Sequence, residues 1–175
     1  DEWDVSPLWS VYGGLRGETI RTASNMAMNS ATNVSTVLSP LLHSVWRFSP
    51  ESKDQVRLGL TRSYRSPNLS DLVARPSLSA DYPVAGANTA TSPDSVGNPG
   101  LKPELAWGLD FAYEHYLGAG GLISASIFRR SIDNLIRNVK SLQSVSWSPV
   151  PRWVSSPRNL GSATSRGVEL EAKFR

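Results

Sequence analysis

Few residues in this sequence have the types and spacing that catalysis requires. The two histidines, His43 and His115, belong to different predicted strands, and we interpret each as a wall position of a sheet. The chain has no cysteine, which excludes thiolate metal sites, cysteine nucleophiles and disulfides. No nucleotide-binding glycine motif and no nucleophile elbow occurs in the sequence. We therefore predict no catalytic residue, no metal site and no cofactor, and we expect that the protein is not an enzyme.

Carboxylates are the remaining candidates for acid–base chemistry, because a pair of them can hydrolyse a glycosidic bond. The residues considered are Asp4, Glu18, Asp110 and Glu114. Arg16 and Arg57 lie at positions where they can pair with such carboxylates across or along strands. We interpret the acidic residues as members of ion pairs.

Aromatic and basic residues in predicted loops are better candidates for a binding function. Trp147 and Trp153 flank the sequence SPVPR, which ends in Arg152, and Tyr82 lies in an earlier loop. A guanidinium beside indole rings suits an anionic or aromatic ligand. The alternative is that these are ordinary loop residues. The net charge of +3 is weak support for nucleic acid, and we predict no nucleic-acid partner.

The elements that would position these loops are strands, and the clearest is a hairpin within Asn98 to Arg137. Large apolar residues from Leu105 to Tyr113 occupy every second position, with small or charged residues between them. Gly118, Gly120 and Gly121 favour a tight turn. Two arms of a dozen or more residues exceed the usual strand of about 5–6 residues. They match the roughly 9–11 residues with which a tilted strand crosses a bilayer.

The same pattern predicts about six strands in all. They are Leu8 to Arg21, Thr36 to Phe48, Gln55 to Arg65, the two arms of the hairpin, and Asn159 to Arg175. Three long loops are predicted at Asn25 to Ser35, Ser66 to Gly100 and Val139 to Pro157, and short turns at Ser49 to Asp54 and Leu117 to Gly121. Such alternation is typical of bacterial membrane barrels, which have long external loops and short periplasmic turns. Aromatic residues near the short turns fit a membrane boundary: Trp9, Trp46, Phe48, Tyr113, Tyr116 and Phe174.

Three stretches carry a family resemblance. They are NPGLKPE (Asn98 to Glu104), SASIFRRSIDNLI (Ser124 to Ile136) and RNLGSATSRGVELEAKF (Arg158 to Phe174). In this order and spacing they resemble the C-terminal barrel of TonB-dependent outer-membrane receptors. The resemblance implies an all-β, antiparallel transmembrane β-barrel, of which residues 1–175 form a part without the plug domain.

The resemblance also implies a function. Receptors of this family lie in the outer membrane of Gram-negative bacteria and take up scarce ligands, most commonly ferric siderophores. Their partners are the outer-membrane lipid, the ligand and the energy-transducing protein TonB, which acts through the plug region. Because DEWDVSPLW has no signal-peptide pattern, we expect the chain to be an excerpt from a longer precursor.

Two other interpretations remain open at this stage. One is a different outer-membrane barrel, such as a porin or an autotransporter translocator. The other is a soluble β-rich binding module, for which an average composition with 39% hydrophobic residues is ordinary.

Overall fold

The fold is one eight-stranded sheet, seen in a computed structural model that describes residues 1–26, 29–118 and 120–174. The strands lie in the order β1-β2-β3-β4-β6-β7-β8-β5, and only the β5–β8 pair is parallel. Their bounds are β1 Glu2–Ser6, β2 Trp9–Met26, β3 Asn29–Arg47, β4 Gln55–Arg65, β5 Asp94–Ser95, β6 Glu104–Leu117, β7 Gly121–Gln143 and β8 Arg152–Lys173. One short helix, α1 (Leu69–Leu72), follows β4. No helix in the described ranges is long and apolar enough to cross a membrane.

The predicted central hairpin is confirmed. Strands β6 and β7 pair without interruption from Leu105 opposite Asp133 to Leu117 opposite Gly121. The turn is closed by the Gly120 amide, which donates to the Leu117 carbonyl at 3.0 Å. Gly120 has φ of 86°, a conformation that costs glycine little and side-chain-bearing residues more. The glycines of this stretch therefore set the place where the chain reverses.

Two predicted loops are largely strand, and those predictions were wrong. Within Asn25 to Ser35 the ladder of β2 and β3 continues to the pair Met26 and Asn29, while residues 27 and 28 lie outside the described residues. The predicted loop Val139 to Pro157 shrinks to residues 144–151, because β7 and β8 pair as far as Gln143 and Arg152. Polar side chains suggested loops, but ladder hydrogen bonds between long neighbouring strands do not require apolar side chains. The short β1 was also not predicted.

The long connection after β4 is confirmed as mostly irregular. Residues 66–103 contain only α1, the two-residue β5 and an isolated bridge between Ser77 and Ser95. Gly97 lies where the connection folds back on itself, and a β-carbon there would overlap the Val73 carbonyl oxygen. The Gly97 amide donates to that carbonyl at 3.1 Å. The connection is therefore held in one shape by close backbone approaches.

The two faces of the sheet differ in chemistry, as the alternation predicts. One cross-strand row joins Leu58, Phe111, Ile127 and Val168, which are between 42% and 69% exposed. We call this side the apolar face, and its large side chains include Trp9, Leu15, Leu38, Leu42, Trp46, Leu58, Leu60, Trp107, Leu109, Phe111, Ile127, Val168 and Leu170. The opposite side is the polar face, which carries Arg16, Glu18, Arg57, Asp110, Glu114, Ser126, Arg130, Glu169 and Glu171.

No second layer covers the apolar face within the part of the chain that the structure describes. The buried apolar side chains there are Val37, Leu72, Leu101 and Val154, too few to form the core of a β-sandwich. A face of large apolar side chains in contact with water is unfavourable in proportion to its area. The fold is therefore complete only when another apolar phase or surface covers this face.

Ion pairs connect neighbouring strands on the polar face. Glu114 accepts from Arg57 at 2.9 Å and from Gln55 at 2.7 Å, and Arg130 contacts Asp110 at 2.7 Å. The interpretation of Glu114 and Arg57 as ion-pair members is thus confirmed. Asp110 and Glu114 are each occupied by an arginine and do not form an acid pair.

Adjacent residues on opposite faces provide a test of this sidedness. If the apolar face contacts hydrocarbon, Ile127→Arg should reduce the free energy of unfolding by about 2–4 kcal/mol, because it places a charge near mid-membrane. Ser126→Arg is the matched control, since Ser126 lies on the polar face opposite Glu169 and its new charge would have a partner. Both variants of the full receptor would be unfolded with guanidinium in lipid vesicles. Equal destabilisation by the two substitutions would contradict the assignment.

Candidate functional site

Arg152, one of the four predicted ligand residues, forms a buried ion pair. It is the first residue of β8, and its side chain and that of Asp94 are both inaccessible to solvent. Its Nε donates to Asp94 Oδ2 at 2.6 Å and its Nη2 donates to Asp94 Oδ1 at 2.8 Å. This two-point geometry is the strongest that arginine and a carboxylate form.

The third nitrogen of the Arg152 guanidinium holds the long connection by its backbone. Nη1 donates to the Gly86 carbonyl at 2.6 Å and to the Pro83 carbonyl at 3.0 Å. Because its donors already have partners, the guanidinium is not free to bind a ligand. Its position instead fixes residues 83–94 against the start of β8.

Trp147, the second predicted residue, contacts the same carboxylate. Its indole Nε1 donates to Asp94 Oδ2 at 2.9 Å, and the Ser79 amide donates to Asp94 Oδ1 at 3.0 Å. The hydrogen bonds from Arg152 are the largest cause that holds the pKa of Asp94 well below its usual value, and burial opposes them. Asp94 therefore stays ionised at neutral pH and joins four segments of the chain.

Trp153 and Tyr82 lie beside this pair. The Asn88 side chain donates to the Trp153 carbonyl at 2.9 Å and accepts from the Trp153 amide at 2.6 Å. The hydroxyl of Tyr82 is 3.2 Å from Thr89 Oγ1. Both aromatic residues are half-buried, as is Trp147. We call the cluster of Tyr82, Asn88, Asp94, Trp147, Arg152 and Trp153 the loop junction.

The loop junction thus unites all four residues that the sequence singled out, although they come from two separate connections. Sequence reasoning missed Asp94 and Asn88, the residues that bring them together. Asp94 stands in the polar, proline-containing stretch TSPDSVGNPG, where an aspartate is an ordinary loop residue. No local signal distinguishes it, because its partner is 58 residues further along the chain.

A second cluster joins the three stretches that carry the family resemblance. Asn159 accepts from the Lys102 amide and donates to the Lys102 carbonyl, both at 2.9 Å, and donates to the Asn134 carbonyl at 2.7 Å. Glu104 accepts from the Ile136 amide at 2.7 Å. The motif residues therefore hydrogen-bond one another at the point where the long connection enters β6.

A polar groove of about 800 Å³ lies between the long connection and the ends of β7 and β8 that are farther from the turn at Gly121. Its polar lining includes Ser70, Asp71, Arg75, Ser77, Asn138 and Ser155. Hydroxyl, amide and charged groups of this kind can bind a polar small molecule.

The histidines lie apart from the loop junction. His43 is on the polar face. It lies opposite Gly59 of β4, and Asp110 of β6 lies on the other side of Gly59. His115 Nδ1 is 2.6 Å from Asp54 Oδ2 in the turn before β4. The Tyr116 amide, the largest cause, and His115 lower the pKa of Asp54. In the described part of the chain no group of three histidine, cysteine or carboxylate residues could hold a metal ion.

Known proteins share this fold. A family model described as "TonB dependent receptor-like, beta-barrel" matches residues 1–175. No curated protein sequence matches the chain. Among solved structures, the siderophore receptor PirA from Pseudomonas aeruginosa is 17% identical with a TM-score of 0.66, and the match covers 95% of this chain and 28% of PirA.

Two further structures are similar to the same degree. The FrpB iron transporter from Neisseria meningitidis is 19% identical with a TM-score of 0.65, and the match covers 99% of this chain and 22% of FrpB. A mutant of the ferric enterobactin receptor PfeA from Pseudomonas aeruginosa, in complex with enterobactin, is 19% identical with a TM-score of 0.64 over 95% of this chain and 22% of PfeA. The chain therefore spans about a quarter of such receptors. Since the family model covers its whole length, the chain belongs to the TonB-dependent receptor-like β-barrel family.

Proposed function

We propose that this chain is part of the wall of an outer-membrane receptor that takes up a ferric siderophore with energy delivered through TonB. The observation that carries the proposal is the uncovered apolar face of a single antiparallel sheet in a member of this family. In the proposal, outer-membrane lipid covers that face, and the polar face lines the barrel interior. Closed barrels are the only β-structures that satisfy all backbone hydrogen bonds inside a bilayer.

The nature of the ligand is proposed from the similar structures. These are a siderophore receptor, a ferric enterobactin receptor and an iron transporter. Each of these structures is less than 20% identical to this chain and supports its fold. We infer the ligand of the whole receptor from the names of these proteins. Contact with TonB would occur through the plug, a domain outside these 175 residues.

The loop junction gives the predicted binding residues distinct roles. We assign Tyr82, Trp147 and Trp153 to ligand contact, because they are half-buried and leave part of each ring accessible. Arg152 acts as a positioning residue, since its charge is neutralised by Asp94 away from solvent. Rigid aromatic rings on a fixed loop favour binding because little conformational entropy is lost when the ligand arrives.

The alternatives have less support. A porin or autotransporter translocator does not account for a family match over residues 1–175. A soluble binding module would need a second layer over the apolar face, where Leu170 is 80% and Val168 69% exposed.

The buried ion pair should control how firmly the long connection is held. Arg152→Ala leaves Asp94 buried without its cation, which is strongly unfavourable. We expect amide hydrogen exchange in residues 83–94 of the full receptor to become at least about tenfold faster. Asp110→Ala is the control, because it breaks the more exposed Asp110–Arg130 pair, which contributes little. Unchanged exchange after Arg152→Ala would contradict the positioning role.

The aromatic residues should govern affinity for the ferric chelate. Loss of a ring that stacks on the ligand costs about 0.5–2 kcal/mol, a several-fold to thirty-fold change in Kd. We therefore expect Tyr82→Ala and Trp153→Ala receptors to bind ferric enterobactin or another ferric siderophore more weakly, measured by titration of whole cells at matched receptor abundance. Trp147→Phe removes the indole N–H that contacts Asp94 but keeps a ring, so affinity should fall less than with Trp147→Ala.

Trp46→Ala provides the control for these variants, because Trp46 lies at the opposite end of the sheet, near the turn between β3 and β4. Binding unchanged in every loop-junction variant across a panel of ferric siderophores would assign these residues to loop packing alone.

A further inference from the structure

The ladder between β3 and β4 ends before either strand does. Strand β3 pairs with β2 along its whole length. It pairs with β4 only as far as Leu41 opposite Thr61, although β4 continues to Arg65 as the partner of β6. Within the described chain, residues 29–40 of β3 and 62–65 of β4 therefore have no ladder between them. We call this gap in the wall the seam.

A proline and an arginine lie where the ladder ends. Pro40 is the first residue of β3 beyond the last pair, and it has no N–H to donate to a ladder. The Arg62 side chain bridges the seam at this level, because its Nη1 donates to the Leu38 carbonyl at 3.2 Å. Its guanidinium lies 5.6 Å from the centroid of the Trp107 ring, and its Nε is buried without a partner in the described residues. One side chain thus stands in for the ladder incompletely.

Asn33 of β3 forms a second contact across the seam. Its Nδ2 donates to the Pro99 carbonyl at 2.7 Å and to the Leu101 carbonyl at 2.8 Å. A side-chain amide has two N–H donors, so this contact uses both. The Ser35 hydroxyl donates to the Asn33 Oδ1 at 3.2 Å and orients the amide. Asn33 therefore holds the NPGLK segment, residues 98–102, by its backbone.

The NPGLK segment is itself fixed to the other side of the seam. Asn98 Nδ2 donates to the Pro157 carbonyl of β8 at 3.2 Å. Asn159 of β8 accepts from the Lys102 amide and donates to the Lys102 carbonyl, both at 2.9 Å. The contact of Asn33 with this segment therefore joins the β2–β3 part of the wall to the β7–β8 part.

The contact lies on the polar face of the sheet. Asn33 is ten residues before His43, which is on the polar face, and the register of β2 and β3 is uninterrupted between them. Residues an even number apart on a strand share a face, so Asn33 also lies on the polar face. In the proposed function that face lines the barrel interior. The position of the NPGLK segment relative to β3 therefore sets the width of the barrel opening.

Packing beside this contact is incomplete. A cavity of about 210 Å³ lies between the sheet, at Thr22, Ala31 and Asn33, and the long connection, at Leu72 and Pro99. Atoms that line a void lose the contacts that close packing would supply. Side-chain hydrogen bonds beside a void separate more readily than a continuous backbone ladder. The seam is therefore a place where two parts of the wall can move relative to each other.

We propose that the seam is a hinge in the barrel wall and that Asn33 is the latch that keeps it closed. When the Asn33 amide releases the carbonyls of Pro99 and Leu101, the ends of β2 and β3 beyond Pro40 move away from the long connection and widen the barrel opening. The inference rests on the proposed function, because it concerns how the ligand gains access. Asn33 is a positioning residue and does not contact the ligand.

The movement can be measured as a distance in the full receptor, reconstituted in lipid vesicles after replacement of any other cysteine by serine. One pair of spin labels, at positions 36 and 133, joins β3 to β7 beyond the end of the β3–β4 ladder. The control pair, at positions 42 and 127, joins the same strands on the same face where the ladder is continuous. All four positions are exposed. Distances would be measured by double electron–electron resonance.

Asn33→Asp places a carboxylate against two carbonyl oxygens and removes both donors. The distance between positions 36 and 133 should lengthen and its distribution broaden, whereas the distance between 42 and 127 should not change. Thr32→Asp is the matched control, because Thr32 is the adjacent residue, is exposed and lies on the other face. An unchanged distance across the seam in Asn33→Asp, or an equal change in Thr32→Asp, would overturn the proposal.

Ligand kinetics distinguish a latch from a residue that shapes the binding site. Opening a latch eases both entry and exit, so Asn33→Asp should raise the association and dissociation rate constants of a ferric siderophore by a similar factor, about threefold to tenfold. The Kd should then stay within about twofold. Asn33→Gln keeps both donors and should return the two rates toward those of the unmodified receptor. Weaker binding with an unchanged association rate would overturn the latch.

The two measurements also separate this proposal from the function of the receptor. An unchanged distance across the seam in an Asn33→Asp receptor that takes up ferric siderophore at the normal rate would overturn the latch alone. A distance that lengthens as expected, in a receptor that binds no ferric siderophore in its unmodified form, would support the hinge and contradict the proposed ligand.

Discussion

The structure depends on covering the apolar face of a single sheet. Large side chains from Leu58 to Leu170 lie on that face, and no described segment packs over them. The hydrophobic effect makes this arrangement unfavourable in water and favourable in hydrocarbon. The strand lengths and the alternation of apolar and polar residues follow from this requirement. Strands such as β7, with 23 residues, exceed the length needed to cross a bilayer, so in the proposed membrane orientation their ends extend beyond it.

The projecting parts of the strands are stabilised in a different way, by polar groups whose partners lie far away in sequence. Arg152 and Asp94 neutralise each other out of solvent and fix the long connection by its carbonyl groups. Asn159 and Glu104 satisfy backbone groups where that connection enters β6. Buried charges and amides require well-placed partners, because an unpaired one is costly. A loop held in this way can present Tyr82 and Trp153 in a fixed arrangement.

The sequence predicted the part of the fold that depends on local alternation. The β6–β7 hairpin, the two-faced sheet and the pairing of Glu114 with Arg57 follow from residue types at period two, and the structure confirms them. The end of β2, the start of β3, the end of β7 and the start of β8 were missed. Their residues are mostly polar, so no apolar residue at every second position indicates a strand there. Strand pairing there, as between Asn25 and Ser30, depends on the ladder started by the apolar parts.

The sequence indicated which residues lie near one another at the loop junction, but not the contacts between residues far apart in sequence. Arginine and tryptophan residues near a loop indicated a binding region, and Trp147 and Arg152 do meet. The sequence could not show that the Arg152 guanidinium is paired with Asp94, since the two residues are 58 positions apart. Arg152 was therefore predicted as a ligand residue, whereas its geometry is that of a support for the loop.

The membrane orientation of the sheet can be measured along β6, where these 175 residues contribute no cysteine of their own, once any cysteine elsewhere in the full receptor has been replaced by serine. Spin labels at successive positions from 107 to 113 in the full receptor, reconstituted in lipid vesicles, would report collisions with oxygen and with a water-soluble nickel complex. Oxygen accessibility should be high at Trp107, Leu109, Phe111 and Tyr113, and nickel accessibility should be high at the positions between them. Accessibility without a period of two, or with the opposite phase, would contradict the assignment of the apolar face to lipid.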